Sequence, residues 1–363
     1  MSTRALRVGD LVEVRSKDEI LRTLDEQGCL DGMPFMPEMF DFCGKRFRVF
    51  KSAHKTCDTV FPVRSRRLNR TVHLQTRCSG LAHGGCEASC LLFWKTAWLK
   101  PVEADQKDGA TLMSQGAGSP TLRTETDRPR GGHCSEADVW AATRLAEDSN
   151  SPDPTFACQA TRLPYASHDL SPFDIRQYVQ DYRSGNVGLG QWLRGILYIS
   201  YNNLINLGIG IGAPLRWLYD RLQSIWGGIP YPRRFGTVPL GNPTPAGQLD
   251  LREGEWVRVK SYPEILATCN VENRNRGMGF DGEMVPYCGG TYRVRKLITK
   301  IVDERTGKLI KMKNPCIVLD DVVCQGRYSE CRLFCPRAIY PYWREVWLER
   351  TASAPAAADL DTH

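Results

Sequence analysis

The feature that most constrains this chain is an internal repeat, in which one stretch of sequence occurs twice, 245 residues apart. Leu6-Arg-Val-Gly-Asp-Leu-Val-Glu-Val-Arg-Ser matches Leu251-Arg-Glu-Gly-Glu-Trp-Val-Arg-Val-Lys-Ser. At the same offset Phe42-Cys43-Gly44 matches Tyr287-Cys288-Gly289, and an aromatic-Arg-Val pattern follows in both places. Because the matches hold this offset without a gap, they indicate a duplicated module.

The repeat sorts the fourteen cysteines of the chain into two groups. Cysteines found in both copies are Cys43 with Cys288, Cys78 with Cys324 after one inserted residue, Cys86 with Cys331, and Cys90 with Cys335. Cysteines without a counterpart are Cys29, Cys57, Cys134, Cys158, Cys269 and Cys316. Each copy therefore holds an isolated cysteine, then C-x7-C or C-x6-C, then C-x3-C.

Four thiolates complete a structural zinc site or hold an iron–sulfur cluster. The sequence starts without an apolar export signal, so we expect a cytoplasmic, reducing compartment in which clustered cysteines bind metal. The hypothesis is one centre per copy, held by Cys43, Cys78, Cys86 and Cys90 in the first and by Cys288, Cys324, Cys331 and Cys335 in the second. Buried free thiols are the alternative. The spacing does not choose between zinc and iron–sulfur.

Three further candidate ligands occur in the first copy alone. At the corresponding positions the second copy has Thr299 in place of His54, Val302 in place of Cys57 and Tyr328 in place of His83. They could change the ligand set, bind a second metal, or supply a catalytic group, with His54 and Cys57 as the candidate reactive centre. The sequence has no Gly-x-Ser-x-Gly, P-loop or His-Glu-x-x-His motif, so whether it is an enzyme stays open.

The predicted fold class is α+β, with two small β-barrels. Polar and apolar residues alternate in Leu11-Val-Glu-Val14, as in a half-buried strand, and short strands with glycine-rich turns follow. The predicted division is a first cysteine-rich module (1–102), a flexible linker (103–133), a helical middle segment (134–226), a Gly/Pro linker (227–248), a second module (249–350) and a disordered tail (351–363).

The strand that follows Gly9-Asp10 resembles the first strand of SH3-like and KOW-type barrels. The wider pattern combines Pro34-Phe-Met-Pro-Glu-Met39, Phe42-Cys43-Gly44, and a C-x3-C followed by Phe93-Trp-Lys-Thr-Ala-Trp-Leu99. This combination is similar to a group of uncharacterised bacterial cysteine-rich proteins. The resemblance implies barrel modules of the SH3-like type and brings no known activity.

The middle segment contains an uncharged stretch between Arg194 and Arg216. Its length suits a transmembrane helix, but three asparagines lie near its centre, and glycines and a proline weaken helix in its second half. Trp192, Trp217 and Tyr219 would suit a membrane interface. Three alternatives remain: a helix buried against the modules or another subunit, an interfacial helix at 192–219, and a true span.

The leading functional hypothesis is a metal-binding scaffold or accessory protein that binds a protein partner. An iron–sulfur electron-transfer or redox component is the first alternative, because all-cysteine ligation permits it. A nucleic-acid-binding protein is the second, motivated by the KOW-like strand and the basic run Arg64–Arg70. The net charge of +7 is mild for such a function, and a solvated hairpin tip also explains the run.

Overall fold

The computed structural model describes residues 5–60, 64–102, 134–145, 152–329 and 331–351. The predicted linker 103–133 and the predicted tail beyond residue 351 lie outside these residues. Within them, the prediction of a mixed α and β protein is confirmed: several small, antiparallel sheets are combined with short helices.

The elements follow one another along the chain in three groups. The first copy contains β1 (Leu11–Val14), α1 (Lys17–Leu21), β2 (Cys29–Leu30), β3 (Met33–Pro34), β4 (Arg46–Arg48), β5 (Lys51–Ser52), β6 (Lys55–Cys57), β7 (Ser65–Arg67), β8 (Thr71–Arg77), β9 (Leu91–Lys95) and β10 (Leu99–Pro101). The middle contains α2 (Glu136–Ala141), β11 (His168–Leu170), α3 (Arg176–Arg183), α4 (Leu189–Ile205) and α5 (Gly212–Trp226). The second copy contains β12 (Trp256–Val259), α6 (Tyr262–Ala267), β13 (Arg274–Asn275), β14 (Met278–Gly279), β15 (Thr291–Val302), β16 (Leu309–Leu319) and β17 (Leu348–Arg350).

Corresponding sequences in the two copies form corresponding elements. A Ser-x-x-Glu capping box starts a short helix in each copy, with Ser16 and Glu19 at α1 and Ser261 and Glu264 at α6. A six-residue 3-10 helix follows in each, at Pro37–Phe42 and Gly282–Tyr287. The cores are alike as well, because a buried tryptophan donates to a threonine hydroxyl in each, Trp98 to Thr23 and Trp347 to Thr268.

The first copy divides its strands between separate sheets, whereas the corresponding strands of the second copy form one sheet. In the first copy β10-β1-β4 and β5-β8-β9 are separate three-stranded sheets. In the second copy the long strand β15 replaces both β4 and β5, so that β16-β15-β12-β17 is one four-stranded sheet. The long β15–β16 hairpin reaches across to the first copy, where the backbone N–H of Thr299 donates to the Glu87 carboxylate (2.6 Å).

The middle segment does not form a separate helical unit. Its first part completes the first core, into which Val139, Leu163 and Ala166 pack. The side-chain amide of Gln159 accepts from the Phe93 N–H (2.8 Å) and donates to the Phe93 carbonyl (2.8 Å), which extends the edge of β9. Helices α3 to α5 follow as a mostly exposed group.

Helices α4 and α5 occupy the region of the uncharged stretch. They are separate helices, divided by a short turn that contains Gly208 and Gly210. Across the described ranges of the chain, the structure contains no helix that is both long and apolar enough to cross a membrane. Little of α4 is buried against the rest of the molecule, since Asn202 and Ile205 are its only buried residues.

Candidate metal centres

Three cysteines of the first copy lie in the loop between β8 and β9. The backbone N–H of Cys78 donates to the Cys90 carbonyl (2.9 Å), which closes the loop at its base. Gly80, at φ +74°, turns the chain so tightly that a Cβ there would lie 1.9 Å from the Cys86 carbonyl oxygen. Because only glycine fits this turn, the loop sequence itself draws the three cysteines together.

A fourth thiol reaches this loop from the middle segment. Cys158 lines a small cavity together with Cys78, Cys86 and Cys90, and the cavity has a volume of about 30 Å³. That volume is enough for one water molecule or one metal ion. We call these four residues the first cysteine cluster.

Cys78 also meets a carboxylate and an imidazole beside the same cavity. The Cys78 Sγ and the His83 Nδ1 lie 3.4 and 3.3 Å from the Glu38 Oε1. The three ligand atoms are within 4.8 Å of one another. The His83 Nε2–H donates to the Ala157 carbonyl (3.1 Å), an arrangement typical of a histidine that offers its other nitrogen to a metal. Among the described residues, the buried Glu38 Oε2 has no hydrogen-bond partner.

The second copy treats the equivalent carboxylate differently. Glu283 accepts hydrogen bonds from the backbone N–H groups of Gln325 (3.2 Å), Tyr328 (2.5 Å) and Ser329 (2.9 Å). Tyr328 stands where the first copy has His83, so this carboxylate holds the cysteine loop through its backbone. The asymmetry seen in the sequence is therefore also an asymmetry of contacts.

The second group of thiols combines one cysteine of the first copy with three of the second. The Cys57 N–H, at the end of β6, donates to the Cys335 Sγ (3.2 Å). Cys324 is close enough for its charge to act on both Cys57 and Cys335. Ser65, the β7 partner of Cys57, donates its hydroxyl to the Cys331 carbonyl. We call Cys57, Cys324 and Cys335, together with Cys331, whose backbone adjoins them, the second cysteine cluster.

Backbone N–H groups are directed at the sulfurs of both clusters. In four cases the donor is two residues beyond the cysteine: Gly80 for Cys78, Ala160 for Cys158, Gly326 for Cys324 and Arg337 for Cys335. The Val302 N–H of β15 donates to the Cys86 Sγ (3.3 Å), so the second copy contributes to the first cluster. Such hydrogen bonds favour thiolate over thiol, which is the form that binds metal.

Burial opposes ionisation of most of these thiols. It raises the pKa of Cys78 and Cys158, and raises that of Cys90 to about 12. Cys57 differs, because a hydrogen bond from Cys335 lowers its pKa to about 6. Cys78, Cys90 and Cys158 therefore hold neutral thiols at pH 7 in the absence of a cation. Since a bound metal ion displaces these protons, metal affinity should rise with pH.

A buried arginine lies between the two clusters. Arg337 is 2% exposed, lines the cavity of the first cluster, and lies close enough for its charge to act on Cys57 of the second. Its guanidinium donates to Glu304 (2.9 Å) and to Thr59 (3.2 Å). Because Glu304 already offsets its charge, Arg337 cannot neutralise two groups of thiolates, whereas bound cations can.

The remaining pair of predicted ligands lies elsewhere. Cys43 ends the 3-10 helix of the first copy, where its charged neighbours are Lys17 and Asp41. Cys288 ends the equivalent 3-10 helix and packs against the second core. Neither residue lines the cavity of the first cluster. The structure thus places Cys78, Cys86 and Cys90 around one cavity with Cys158, and places Cys324 and Cys335 near Cys57. Cys158 and Cys57 have no counterpart in the repeat. Among the described residues, Glu38, Cys78 and His83 form the one group of three potential ligand atoms that lie within 4.8 Å of one another.

The other first-copy candidates have separate environments. His54 faces α3, where its Nε2 lies 3.1 Å from the Asp181 Oδ1, while Cys57 faces Cys335. The neighbouring Lys55 Nζ donates to the Asp181 Oδ2 (2.6 Å), and both side chains are almost fully buried. His54 is therefore part of the contact between β6 and α3. Of the two histidines, only His83 lies at a cysteine cluster.

The basic run at residues 64–70 is largely engaged within the molecule. Arg66 lies 2.9 Å from Asp169 and 3.3 Å from Asp58, and its side chain is 11% exposed. Arg67 pairs with Asp174 (2.7 Å). Residues 65–67 of this run are part of a sheet, since β7 is paired with both β6 and β11, whereas Asn69 and Arg70 form an exposed bend before β8. These ion pairs weaken the case for a phosphate-binding surface here.

Comparisons of the chain with models of protein families, with curated proteins and with solved structures give no match.

Proposed function

We propose that this chain is a metal-stabilised scaffold or accessory binding protein in which each cysteine cluster binds one zinc ion. The observation that carries the proposal is that each cluster takes one of its cysteines from outside the copy that supplies the others. Cys158 joins three cysteines of the first copy, and Cys57 joins three cysteines of the second. Buried thiols that were merely core residues would not need to line one cavity from separate parts of the chain, as Cys78, Cys86, Cys90 and Cys158 do.

The carboxylate and imidazole beside Cys78 favour zinc over an iron–sulfur cluster. Zinc takes histidine and carboxylate ligands as well as thiolates, whereas iron–sulfur clusters are held mainly by cysteine thiolates. Four protein ligands would complete the tetrahedral shell of zinc and leave no open position for a substrate. We therefore assign both centres a structural role, with Glu38 and His83 supporting the first.

The finer fold that accompanies this function is a pair of duplicated SH3-like modules. Its support is the recurrence of the same capping box, 3-10 helix and buried tryptophan in both copies. Small barrels of this type present their loops to partners, and metal centres between them would fix the relative position of those loops.

The test is zinc content in matched cysteine variants of the full chain. We expect about two zinc ions per chain in the unaltered protein, and about one in Cys158→Ser and in Cys57→Ser. Cys43→Ser and Cys288→Ser are the controls, and each should retain about two. Substitution with cobalt should give the visible spectrum of a tetrahedral thiolate site, which reports on ligands even where a variant is less stable.

Two results would count against the proposal. A brown protein containing iron and sulfide would establish the redox alternative. Loss of metal in Cys43→Ser and Cys288→Ser, with full retention in Cys158→Ser and Cys57→Ser, would show that each copy closes its own site.

A further inference from the structure

Helices α4 and α5 expose an unusual number of large apolar side chains. On α4 these are Leu189, Leu193, Leu197 and Leu204, of which Leu197 is 70% exposed. Their spacing of four and seven residues puts them along one side of the helix. The turn and α5 add Leu207, Ile209, Trp217, Leu218, Leu222, Ile225 and Trp226. We call these eleven residues the apolar face.

The other side of α4 provides the contacts with the rest of the molecule. Gly195 lies so close to Phe334 that a Cβ on it would be 2.4 Å from the ring. Tyr198 packs edge-on against Tyr328, with ring centroids 5.1 Å apart. The Asn202 side chain accepts a hydrogen bond from the Tyr231 hydroxyl (2.7 Å). Since α4 is already docked on the second cysteine loop through this side, its leucine stripe is left for another surface.

The charged residues in the sequence around α4 and α5 are mostly arginines. From residue 183 to residue 234 the charged residues are Arg183, Arg194, Arg216, Arg221, Arg233 and Arg234, with Asp220 as the one acid. Asp220 is paired with Arg234. Arginine binds phosphate through two parallel hydrogen bonds, and clustered cations are attracted to anionic lipid headgroups.

The lengths of the two helices decide how they could meet a bilayer. With 17 and 15 residues, α4 and α5 are about 26 and 22 Å long, shorter than the hydrocarbon core of about 30 Å. Helices with leucine and tryptophan on one side and arginine nearby lie in the plane of the interface instead. Trp217 and Trp226 are the residue type that prefers the headgroup level.

We propose that the apolar face is a docking surface for a membrane that contains anionic lipid, with α4 and α5 lying along its surface. The exposed Arg194 of α4 and Arg221 of α5 contact headgroup phosphates, while the leucines and tryptophans enter the boundary between headgroups and acyl chains. This proposal does not depend on which metal occupies the cysteine clusters.

Vesicle flotation with the purified full chain tests the proposal. We expect binding to vesicles of phosphatidylcholine with phosphatidylserine, weaker binding to phosphatidylcholine alone, and release by salt. The double variants Leu193→Ser/Leu197→Ser and Trp217→Ser/Trp226→Ser should each lower the affinity by at least about tenfold. Leu145→Ser, which alters an exposed leucine outside the apolar face, is the matched control and should bind normally.

Oligomeric state and zinc content are measured on the same samples. Unchanged zinc content in the helix variants shows that a loss of vesicle binding does not come from unfolding of the second cluster. Failure of the unaltered protein to bind anionic vesicles overturns the proposal. A dimer that the leucine or tryptophan variants convert to a monomer also overturns it, because the apolar face would then belong to a second copy of the chain.

Discussion

At the scale of single residues, the two candidate centres depend on side chains that have no partner in the repeat. Cys57 and Cys158 carry the fourth thiols, and His83 carries an imidazole that the second copy lacks. The sequence shows that these residues have no counterpart in the other copy, but their role depends on contacts between segments far apart in the chain. Their variants are therefore the most informative ones.

His83 should affect the first centre and leave the second unchanged. Its imidazole lies between Glu38 and the Ala157 carbonyl, next to Cys78, so His83→Ala removes a group that orients or completes the site. We expect the first zinc ion to bind about 10- to 100-fold more weakly. Competition with a chromophoric chelator measures this, and His168→Ala, at an exposed histidine, is the control. Equal weakening of both ions would contradict the assignment.

His73 should make the first copy sensitive to acid. Burial lowers the pKa of this fully buried histidine to about 4, against about 6.5 in an unfolded chain. The unfolded state therefore takes up the proton first, and stability is complete above pH 6.5 and lost as the pH falls towards 4. Between pH 7 and pH 5 the loss should be about 2 kcal/mol.

Denaturant unfolding at the two pH values checks this prediction with His73→Phe. The variant should lose less stability between pH 7 and pH 5 than the unaltered chain, while His168→Gln behaves as the unaltered chain. Metal release at low pH is common to all three proteins, so the comparison isolates His73. An identical pH response in His73→Phe would count against a neutral buried imidazole.

At the scale of elements, each cysteine loop contains a tight turn at a glycine. Gly80 and Gly326 both lie two residues after the first cysteine of the loop, and both have positive φ. A Cβ on Gly326 would lie 2.6 Å from the Cys335 backbone nitrogen, much as one on Gly80 would meet Cys86. The close approach of the backbone, as well as the φ angle, therefore requires glycine.

Gly80→Ala and Gly44→Ala separate these two requirements. Gly44 has φ +73° but nothing within 4 Å of a Cβ, so its replacement should cost about 1–2 kcal/mol of stability and leave zinc content unchanged. Gly80→Ala should in addition displace Cys86 and remove the first zinc ion. Thermal unfolding and metal analysis on both variants give the answer, and zinc retention by Gly80→Ala would show that the loop is not built around a metal.

Local elements were the part of this fold that the sequence could predict. The Ser-x-x-Glu signal and strand alternation identify α1 and β1, because both depend on neighbours within a few residues. The C-x3-C spacing likewise identifies Cys86 and Cys90. The choice of Cys158 over Cys43 could not be predicted, since it follows from the packing of the middle segment on the first core.

At the scale of the whole molecule, each copy contributes a chemical group to the cysteine cluster of the other copy. The first copy gives Cys57 to the second cluster, and the second copy gives the Val302 N–H to the first. The Nζ of the almost fully buried Lys55 donates to Asp181 of α3 (2.6 Å) and to the Leu333 carbonyl (2.7 Å) of the second cysteine loop. Separation of the copies would take Cys57 from the second cluster and the Val302 N–H from the first, and would break the hydrogen bond from Lys55 to the buried Leu333 carbonyl.

Cleavage of the chain between the copies should therefore leave them associated. A protease site inserted in the predicted linker 103–133 allows the purified protein to be cut, and we expect both fragments to elute together in size-exclusion chromatography at high salt. Cys57→Ser/Cys158→Ser should weaken this association, and Cys43→Ser/Cys288→Ser should not. Fragments that separate at once would show that the contacts between the copies are weak.

The exchange of Cys57 and Cys158 has a consequence for synthesis on the ribosome. The first three thiols of the first copy emerge well before Cys158, and Cys57 emerges 278 residues before its partner Cys335. During translation the first site cannot close when its own module has been made, because Cys158 has not yet emerged, and Cys57 has no cysteine partner until the second module is made. On the zinc proposal, a message that ends before Cys158 yields a product with no complete centre.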